Sequence, residues 1–389
     1  MQSFDFCRPT NIVFGAGRVS ELSEIVKKYG RKVIFVTYEE KMADILGLRK
    51  KILIPFSESG LEVQEHYGVK SNPTVEHTRK ILSSARSFQP DVIVAVGGGS
   101  VIDECKFISA ALHYNGDPWD IACGKARIET VTPVIAVVTM PATSSEMNDT
   151  AVISNETLKR KEGFSDVKMV PAEALLDPEF TYDIPLKQTG YSATDIVSHL
   201  LEAYIVHQEA FVPMQNRFCE GMIKTVIDCM DRIIENPRDK EARAMLMWTA
   251  TYAWNGFYVC GLGSGNPAIH ILGHSLSAFY DTPHGAAMGI TIPAVIRYTM
   301  KERTARYARM SRKIFGVDED DDCRAAHKGL EMLIQWIRKM GSPTTFREAG
   351  IPEDNLEALA ADALKTAEMW GVGDKYTLEM CKDMFACCL

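Results

Sequence analysis

The sequence has 389 residues, of which 46% are hydrophobic and 24% are charged, and its formal net charge is −8 at pH 7. This length exceeds that of one small domain and suits two. The negative charge argues against nucleic acid and anionic membrane surfaces as partners, and it leaves a small molecule and a second copy of the chain as the expected ones.

The cysteines and the first residues indicate a compartment. The ten cysteines are scattered and include no Cys-x-x-Cys pair. Met1–Asp5 lack the basic and apolar regions of a signal peptide, and no apolar run is long enough to span a bilayer. We therefore expect reduced, mostly buried thiols in a cytoplasmic protein.

The first half alternates short apolar, β-branched runs with helical stretches. The predicted strands are Lys32–Thr37, Lys51–Ile54, Asp91–Val96, Pro133–Thr139 and a segment near Ala174–Leu176. The helical stretches between them are Ser20–Tyr29, Thr74–Phe88 and Val101–Tyr114. This βαβ order predicts a Rossmann-like α/β domain with a parallel sheet covered by helices.

Near residue 184 the pattern changes to long amphipathic helices without a convincing strand. The clearest are Ser192–Ile205, Pro213–Asn236, Lys240–Tyr258 and Asp322–Lys339. We therefore predict an α/β domain over residues 1–184 and an all-helical domain over residues 185–389.

A glycine run lies between a buried strand and a helix start. Gly97, Gly98 and Gly99 allow close approach of the backbone to a ligand, and the helix N-terminus offers free N–H groups to a pyrophosphate. Ser100 is placed to cap that helix, which continues through Asp103. A tight turn without a ligand explains the same run, and the GxGxxG fingerprint is absent, so both interpretations stay open.

A second loop, Thr139–Asn148, also follows a buried strand and carries the clustered hydroxyls of Thr143, Ser144 and Ser145. These hydroxyls are able to bond phosphate, ribose or the nicotinamide amide. Capping of turns is the more common use of such residues, and the sequence alone favours it.

Asp195 and His199 lie four residues apart, so on a helix they project from one face. Their neighbours are largely apolar, which predicts that this face is buried. A buried carboxylate and imidazole need a partner, and a divalent metal is one candidate. A hydrogen bond between the two is the simpler alternative.

His270, His274 and His284 strengthen the metal hypothesis. One continuous helix would separate His270 from His284 by about 21 Å. Pro283 and Gly285 predict a helix break that brings His284 back. Spacing does not decide between His270 and His274 as ligand, and the donor set suits Fe(II) and Zn(II) equally. The remaining histidines are interpreted as surface or packing residues: His66, His77, His113, His207 and His327.

With these motifs in place, the sequence resembles the iron-dependent (group III) alcohol dehydrogenase family, and within it the butanol-dehydrogenase-like branch. The matching segments are Pro9–Gly17, Asn72–Thr74, Gly97–Asp103, Ala142–Glu146, Asp195–His199 and His270–Gly285. The resemblance implies a dehydroquinate synthase-like architecture, an N-terminal α/β domain with a helical C-terminal domain, and a homodimer.

The resemblance also implies roles for single residues. It implies metal ligation by Asp195, His199, His270 and His284, which decides for His270, and proton relay by His274. It implies a dinucleotide site formed by Gly97, Gly98, Gly99, Ser100, Asp103, Thr139, Thr143 and Lys161.

Two departures from the family pattern concern the cofactor. After the strand ending at Thr37, relatives carry Asp or a glycine/serine run, whereas this chain has Tyr38, Glu39 and Glu40. Glu39 near the adenosine ribose would bond its hydroxyls and repel a 2′-phosphate, so we expect NAD, with NADP as the alternative. Ser144 replaces a more usual glycine.

These features predict an NAD(P)-dependent alcohol dehydrogenase or aldehyde reductase that transfers hydride to or from a small primary alcohol or aldehyde at Fe(II), with Zn(II) as the alternative ion. One rival is a glycerol-dehydrogenase-like zinc enzyme, against which a fourth ligand at His199 argues. The other is a non-catalytic dinucleotide or metal sensor on the same scaffold.

Overall fold

The computed structural model describes residues 1–206, 211–262 and 267–389. The chain divides into two compact units. The α/β unit comprises Cys7–Asp183 and Arg243–Asn255, and the helical unit comprises Met1–Phe6, Ile184–Ala242 and Gly256–Leu389. Division into independent domains 1–184 and 185–389 stays a prediction.

The α/β unit alternates strands and helices along most of its length. Its elements are β1 (Asn11–Phe14), α1 (Leu22–Lys27), β2 (Lys32–Thr37), α2 (Glu40–Ile45), α3 (Ile54–Glu58), β3 (Glu62–His66), α4 (Val75–Phe88), β4 (Val92–Gly98), α5 (Gly99–Ala111), α6 (Trp119–Ala122), β5 (Val134–Met140), β6 (Thr150–Asn155), β7 (Arg160–Ser165) and β8 (Glu173–Leu176).

Six of these strands form one parallel sheet in the order β1-β8-β5-β4-β2-β3, and β6 and β7 form a separate antiparallel hairpin. Thr37 pairs with Val96, which pairs with Val137, so β2, β4 and β5 end at the same edge. The loops after these three strands therefore share that edge, where ligands of open α/β sheets bind.

Both faces of the sheet are buried. Alternate residues of β2 enter two different apolar clusters, with Ile34 and Val36 in one and Val33 and Phe35 in the other. This alternation follows from the period of two in a strand, and burial on both faces explains the continuous apolar runs of β2, β4 and β5. The predicted fold class is confirmed.

One predicted strand, Lys51–Ile54, is wrong. Arg49–Leu53 form a turn of π-helix that continues directly into α3. Ile52 and Phe56, four residues apart, are both buried, whereas Ile54 is 45% exposed. The apolar residues therefore follow a helical period, which a short run of four residues conceals.

The remaining helices follow residue 185. They are α7 (Leu186–Val206), α8 (Pro213–Glu235), α9 (Lys240–Ala253), α10 (Ala268–Tyr280), α11 (His284–Thr299), α12 (Thr304–Ile314), α13 (Asp322–Lys339), α14 (Phe346–Ala349), α15 (Leu356–Met369) and α16 (Leu378–Ala386). Within the described part of 185–389 there is no strand. Among the described residues, none of the helices has the length and apolar character needed to cross a membrane.

Candidate metal centre and dinucleotide loop

One buried face of α7 carries the first two predicted ligands. Asp195 and His199 are four residues apart, and both are buried. One donor atom from each, together with one from His270 of α10, lie within 4.8 Å of one another. The rings of His199 and His270 are stacked with their centroids 4.5 Å apart.

The turn between α10 and α11 brings His284 to the same group. α10 ends at Tyr280, Asp281 adopts a left-handed conformation with φ of 51°, and α11 begins at His284 directly after Pro283. Ser277 Oγ donates to the carbonyl of Thr282 and holds this turn. The predicted helix break is confirmed, and it places His284 Nε2 3.3 Å from Asp195 Oδ1.

His274 lies beside this group. Its ring centroid is 5.6 Å from that of His284 and 6.4 Å from that of His270. The indole of Trp370, at the end of α15, stands edge-on to His274 at 5.0 Å. His270 supplies one of the donor atoms that lie within 4.8 Å of one another, and its Nε2 lies 3.7 Å from Asp195 Oδ1, so this geometry supports His270 as a ligand.

The charges of the site suit a cation. Burial acts to raise the pKa of Asp195, but the neighbouring imidazoles of His199, His284 and His270 hold that pKa well below its usual range. Burial lowers the pKa of His199 to about 3, against the attraction of Asp195. An ionised carboxylate therefore faces a neutral imidazole, and both forms are the ones that bind metals.

Glu202 is a site residue that the sequence reasoning missed. It follows His199 by three residues on α7 and is 4% exposed. Its Oε2 lies 2.8 Å from His270 Nδ1, and its Oε1 accepts a 2.8 Å hydrogen bond from the His270 backbone N–H. Burial acts to lower the pKa of His270, but Glu202 and Asp195 outweigh burial and raise it to about 10. The signal in the sequence was an acidic residue one helical turn after a proposed ligand, on a helix predicted to be buried.

The residues present fit a single divalent ion. The buried Asp195, His199 and His270 and the partly exposed His284 bring one carboxylate and three imidazoles together within the helical unit. Mixed nitrogen and oxygen donors are typical of Fe(II) and Zn(II) sites.

The glycine run forms the junction of β4 and α5 in the α/β unit. β4 ends at Gly98 and α5 begins at Gly99. A Cβ at Gly99 would overlap the Thr143 side chain, so glycine allows the loop after β5 to approach. The expected cap by Ser100 is wrong: Gly98 is the N-cap residue, and Ser100 Oγ instead donates to the Ser71 carbonyl at 2.5 Å.

Tyr38 and the hydroxyl loop adjoin this junction. Tyr38 Oη accepts a 2.5 Å hydrogen bond from the Gly98 N–H. Ser144 has a left-handed φ of 52°, which explains why glycine is usual there. Its hydroxyl donates to the Ala250 carbonyl and accepts from the Trp254 N–H, and these bonds hold the strained conformation.

The predicted cofactor residues Asp103 and Lys161 hydrogen-bond to other residues of the α/β unit, whereas Glu39 is exposed. The Asp103 carboxylate accepts from Ser145 Oγ at 2.5 Å and from the Val152 N–H at 3.0 Å, so it ties the hydroxyl loop to α5 and β6. Lys161 Nζ donates to Asn72 Oδ1 at 2.9 Å. Glu39 is exposed and is the N-cap residue of α2, directly after β2.

Two of the histidines predicted as surface or packing residues have polar partners within the α/β unit. His77 pairs with the buried Glu104, and His113 pairs with the Thr132 hydroxyl. His207 lies outside the described residues.

Comparison with known proteins gives matches over nearly the whole chain. Residues 9–178 match the family described as iron-containing alcohol dehydrogenase, and residues 189–385 match the C-terminal region of the Fe-containing alcohol dehydrogenase family.

Named relatives and solved structures agree with this match. The chain is 34% identical to a probable NADH-dependent butanol dehydrogenase 1 of Bacillus subtilis, with 94% of each chain covered. It is 31% identical to the NADPH-dependent aldehyde reductase YqhD of Escherichia coli, with 92% of each covered. The crystal structure of an NADH-dependent butanol dehydrogenase A from Thermotoga maritima superposes with a TM-score of 0.95 at 34% identity, covering 100% of this chain and 99% of that one.

Proposed function

The chain belongs to the iron-containing alcohol dehydrogenase family, and on this premise we propose that it is an NAD(P)-dependent oxidoreductase that interconverts a small primary alcohol and its aldehyde at one Fe(II) ion. The observation that carries the proposal is the convergence of Asp195, His199 and His270 donor atoms within 4.8 Å, with His284 beside them.

Four residues would hold the ion: Asp195, His199, His270 and His284. A divalent ion held there polarises the oxygen of an alcohol or aldehyde, which is the Lewis-acid chemistry that the reaction needs. Oxidation of a primary alcohol releases a hydride, which reduces the nicotinamide, and a proton, which we assign to His274. The position of His274, with its ring 5.6 Å from that of His284, supports this role.

The dinucleotide site is assigned to the edge of the sheet where β2, β4 and β5 end. The N-terminal N–H groups of α5 would bind the pyrophosphate. The proposed cofactor residues are Gly97, Gly98, Gly99, Ser100, Asp103, Thr139, Thr143, Lys161, Tyr38 and Glu39. Asp103 is assigned a supporting role, since its two oxygens already accept hydrogen bonds from the protein.

We assign NADH rather than NADPH as the preferred cofactor. Glu39 and Glu40 are exposed directly after β2, where a 2′-phosphate on the adenosine ribose would meet two negative charges. Fe(II) is assigned as the ion because the family carries that name, with Zn(II) as the alternative.

Neither rival function is favoured. A fourth donor at His199 argues against a glycerol-dehydrogenase-like zinc enzyme. The presence of both the glycine loop and the metal donors argues against a sensor that has lost its chemistry.

Two properties of the molecule in solution follow from the family resemblance and the composition. We assign a homodimer, which sedimentation velocity tests directly. We also assign a cytoplasmic location, which the ten cysteines, none of them in a disulfide bond, support.

The experiment is the oxidation of NADH and of NADPH by butanal, followed by absorbance, with protein prepared anaerobically and loaded with Fe(II). The same sample is then measured after chelation and again after Fe(II) is restored. Glu39→Gln with Glu40→Gln serves as the matched variant for cofactor choice, because it removes the two charges and keeps side-chain size.

We expect metal-dependent turnover that is faster with NADH, and we expect the double variant to gain activity with NADPH. Turnover that survives chelation would overturn the metal assignment. Equal rates with both cofactors in the unmodified protein would overturn the assignment of NADH. Absence of turnover across a series of aldehydes, with stoichiometric metal and bound NADH, would favour the sensor.

A further inference from the structure

Glu202 contacts one metal-ligand candidate at two points. Its Oε2 lies 2.8 Å from His270 Nδ1 and its Oε1 lies 2.8 Å from the backbone nitrogen of the same residue. We propose that Glu202 is a positioning residue that fixes the His270 ring and its tautomer, so that Nε2 points toward the metal. The proposal rests on the metal centre assigned above.

Glu202 contacts the N-terminal end of α10. His270 is the third residue of α10, and its N–H is among the first four, which have no acceptor within the helix. The N-cap residue, Pro267, makes no side-chain cap bond. The Glu202 carboxylate satisfies this N–H and places a negative charge at a helix N-terminus, where it is favourable.

Glu202 also contacts the imidazole of His270. An ionised carboxylate only accepts hydrogen bonds, so next to Glu202 the His270 Nδ1 carries a proton. In the neutral ring, the form that binds a metal, the proton-free nitrogen is then Nε2, which lies 3.7 Å from Asp195 Oδ1. Metal-bound histidines usually donate their other N–H to a carboxylate or carbonyl, which sets tautomer and orientation.

The helix α7 holds Glu202 in a fixed position relative to two of the proposed ligands. Asp195, His199 and Glu202 follow one another at intervals of four and three residues, so they share one face of α7. A single helix thus presents two donors and the support of a third. All three side chains are buried, which limits their freedom to rearrange.

The test separates orientation of the ring from capping of the helix. In Glu202→Gln, the amide oxygen still accepts from the His270 backbone N–H, but the amide NH₂ cannot accept from Nδ1. Glu220→Gln is the matched control, because Glu220 is a buried glutamate of the same unit that bonds Tyr204 and Arg309 instead. Co(II) affinity of the metal-depleted proteins is measured by competition with a chromophoric chelator, together with the visible absorption of bound Co(II).

We expect Glu202→Gln to lose about 10- to 100-fold in Co(II) affinity and to change the Co(II) bands, while Glu220→Gln binds Co(II) like the unmodified protein. If Glu202→Gln and the unmodified protein bind Co(II) with equal affinity, the role of Glu202 is overturned and the metal centre is not. Failure of the unmodified protein to bind Co(II) would instead overturn the metal centre on which the proposed function depends.

A second measurement needs no stable variant at Glu202. Nitrogen-15 spectra of the Zn(II)-loaded protein, assigned with His270→Gln, report which ring nitrogen of His270 carries the proton. A protonated Nδ1 supports the proposal, and a metal bond at Nδ1 contradicts it.

Discussion

At the residue scale, Asp195 supplies the negative charge of the proposed ligand set. Two unit charges about 4 Å apart interact by about 4 kcal/mol at an effective dielectric constant of about 20. The substitution Asp195→Asn keeps the size of the side chain and removes its charge. We therefore expect the affinity of this variant for Co(II) to fall by at least about 100-fold, as measured by the same chelator competition.

The control for this variant is Asp231→Asn, which removes an exposed carboxylate paired with Lys339 at the surface of the helical unit. It should bind Co(II) like the unmodified protein. If Asp195→Asn retains full affinity while its circular dichroism is unchanged, the ion is bound elsewhere.

His77 gives a prediction about pH that is independent of the metal. Its Nδ1 lies 2.9 Å from the buried Glu104 and its Nε2 lies 3.1 Å from the Tyr67 carbonyl. The hydrogen bond with Glu104, its charge and the Tyr67 carbonyl raise the pKa of His77, against burial and the charge of Lys80. The folded protein thus binds this proton more tightly than the unfolded chain, whose histidine pKa is about 6.5.

The sign of the effect follows from this difference. The stabilisation by protonated His77 is complete below about pH 6.5 and is lost as pH rises through the raised pKa of the folded state. We expect His77→Gln to lower the free energy of unfolding in urea more at pH 6 than at pH 9. His113→Gln, whose ring pairs with a hydroxyl, is the control. If His77→Gln lowers the free energy of unfolding equally at pH 6 and at pH 9, the prediction is contradicted.

Single ligands differ in how far the sequence identifies them. Helical spacing places the proposed ligands Asp195 and His199 on one face, and the predicted helix break at Pro283 allows His284 to return to them. The choice between His270 and His274 does not follow from spacing, because both lie on α10 one turn apart. Glu202 does not follow either, since its partner is 68 residues away along the chain and the contact exists only in the fold.

At the scale of elements, the approach of α11 to α7 depends on Gly285. A Cβ there would overlap the backbone carbonyl of Tyr191, which cannot move as a side-chain tip can. We expect Gly285→Ala to lower the free energy of unfolding by about 1–3 kcal/mol. Because His284 is the adjacent residue, Co(II) affinity should fall as well.

The matched control is Gly221→Ala in α8, where an added Cβ meets nothing within 4 Å. Alanine is favoured over glycine inside a helix by about 1 kcal/mol. Thermal unfolding of the metal-free proteins should therefore place Gly221→Ala at or above the unmodified protein and Gly285→Ala below it. If both variants unfold at or above the temperature of the unmodified protein, α7 and α11 adjust freely to the added Cβ.

Elements with strong patterns were predicted well, and weak edge elements were not. α13 has the predicted bounds, Asp322–Lys339, because its apolar residues repeat at helical spacing. β3 was missed because it is an edge strand of largely polar residues, Glu62–His66, that pairs only with β2. The β6–β7 hairpin was missed because β6 (Thr150–Asn155) has apolar residues only at its centre and β7 (Arg160–Ser165) is largely polar.

At the scale of the whole molecule, the units defined by contacts differ from a division at one point of the chain. Arg243–Asn255 lie in the helical half of the sequence but belong to the α/β unit. Arg243 donates to the Thr181 carbonyl, and Ala250 and Trp254 hold Ser144. These bonds join residues far apart in sequence. The helical periodicity of α9 therefore predicts its secondary structure, but it does not predict to which unit the helix belongs.

The two units also divide the proposed chemistry, since the metal donors all belong to the helical unit and the glycine loop belongs to the α/β unit. A ligand at 100 times its Kd stabilises its site by about 2.7 kcal/mol. We expect Zn(II) to slow amide hydrogen exchange in α7, α10 and α11, and NADH to slow exchange in residues 97–103 and 139–145. Asp195→Asn should lose the response to Zn(II) and keep the response to NADH. Protection by Zn(II) confined to the α/β unit would place the ion elsewhere and contradict the assigned ligands.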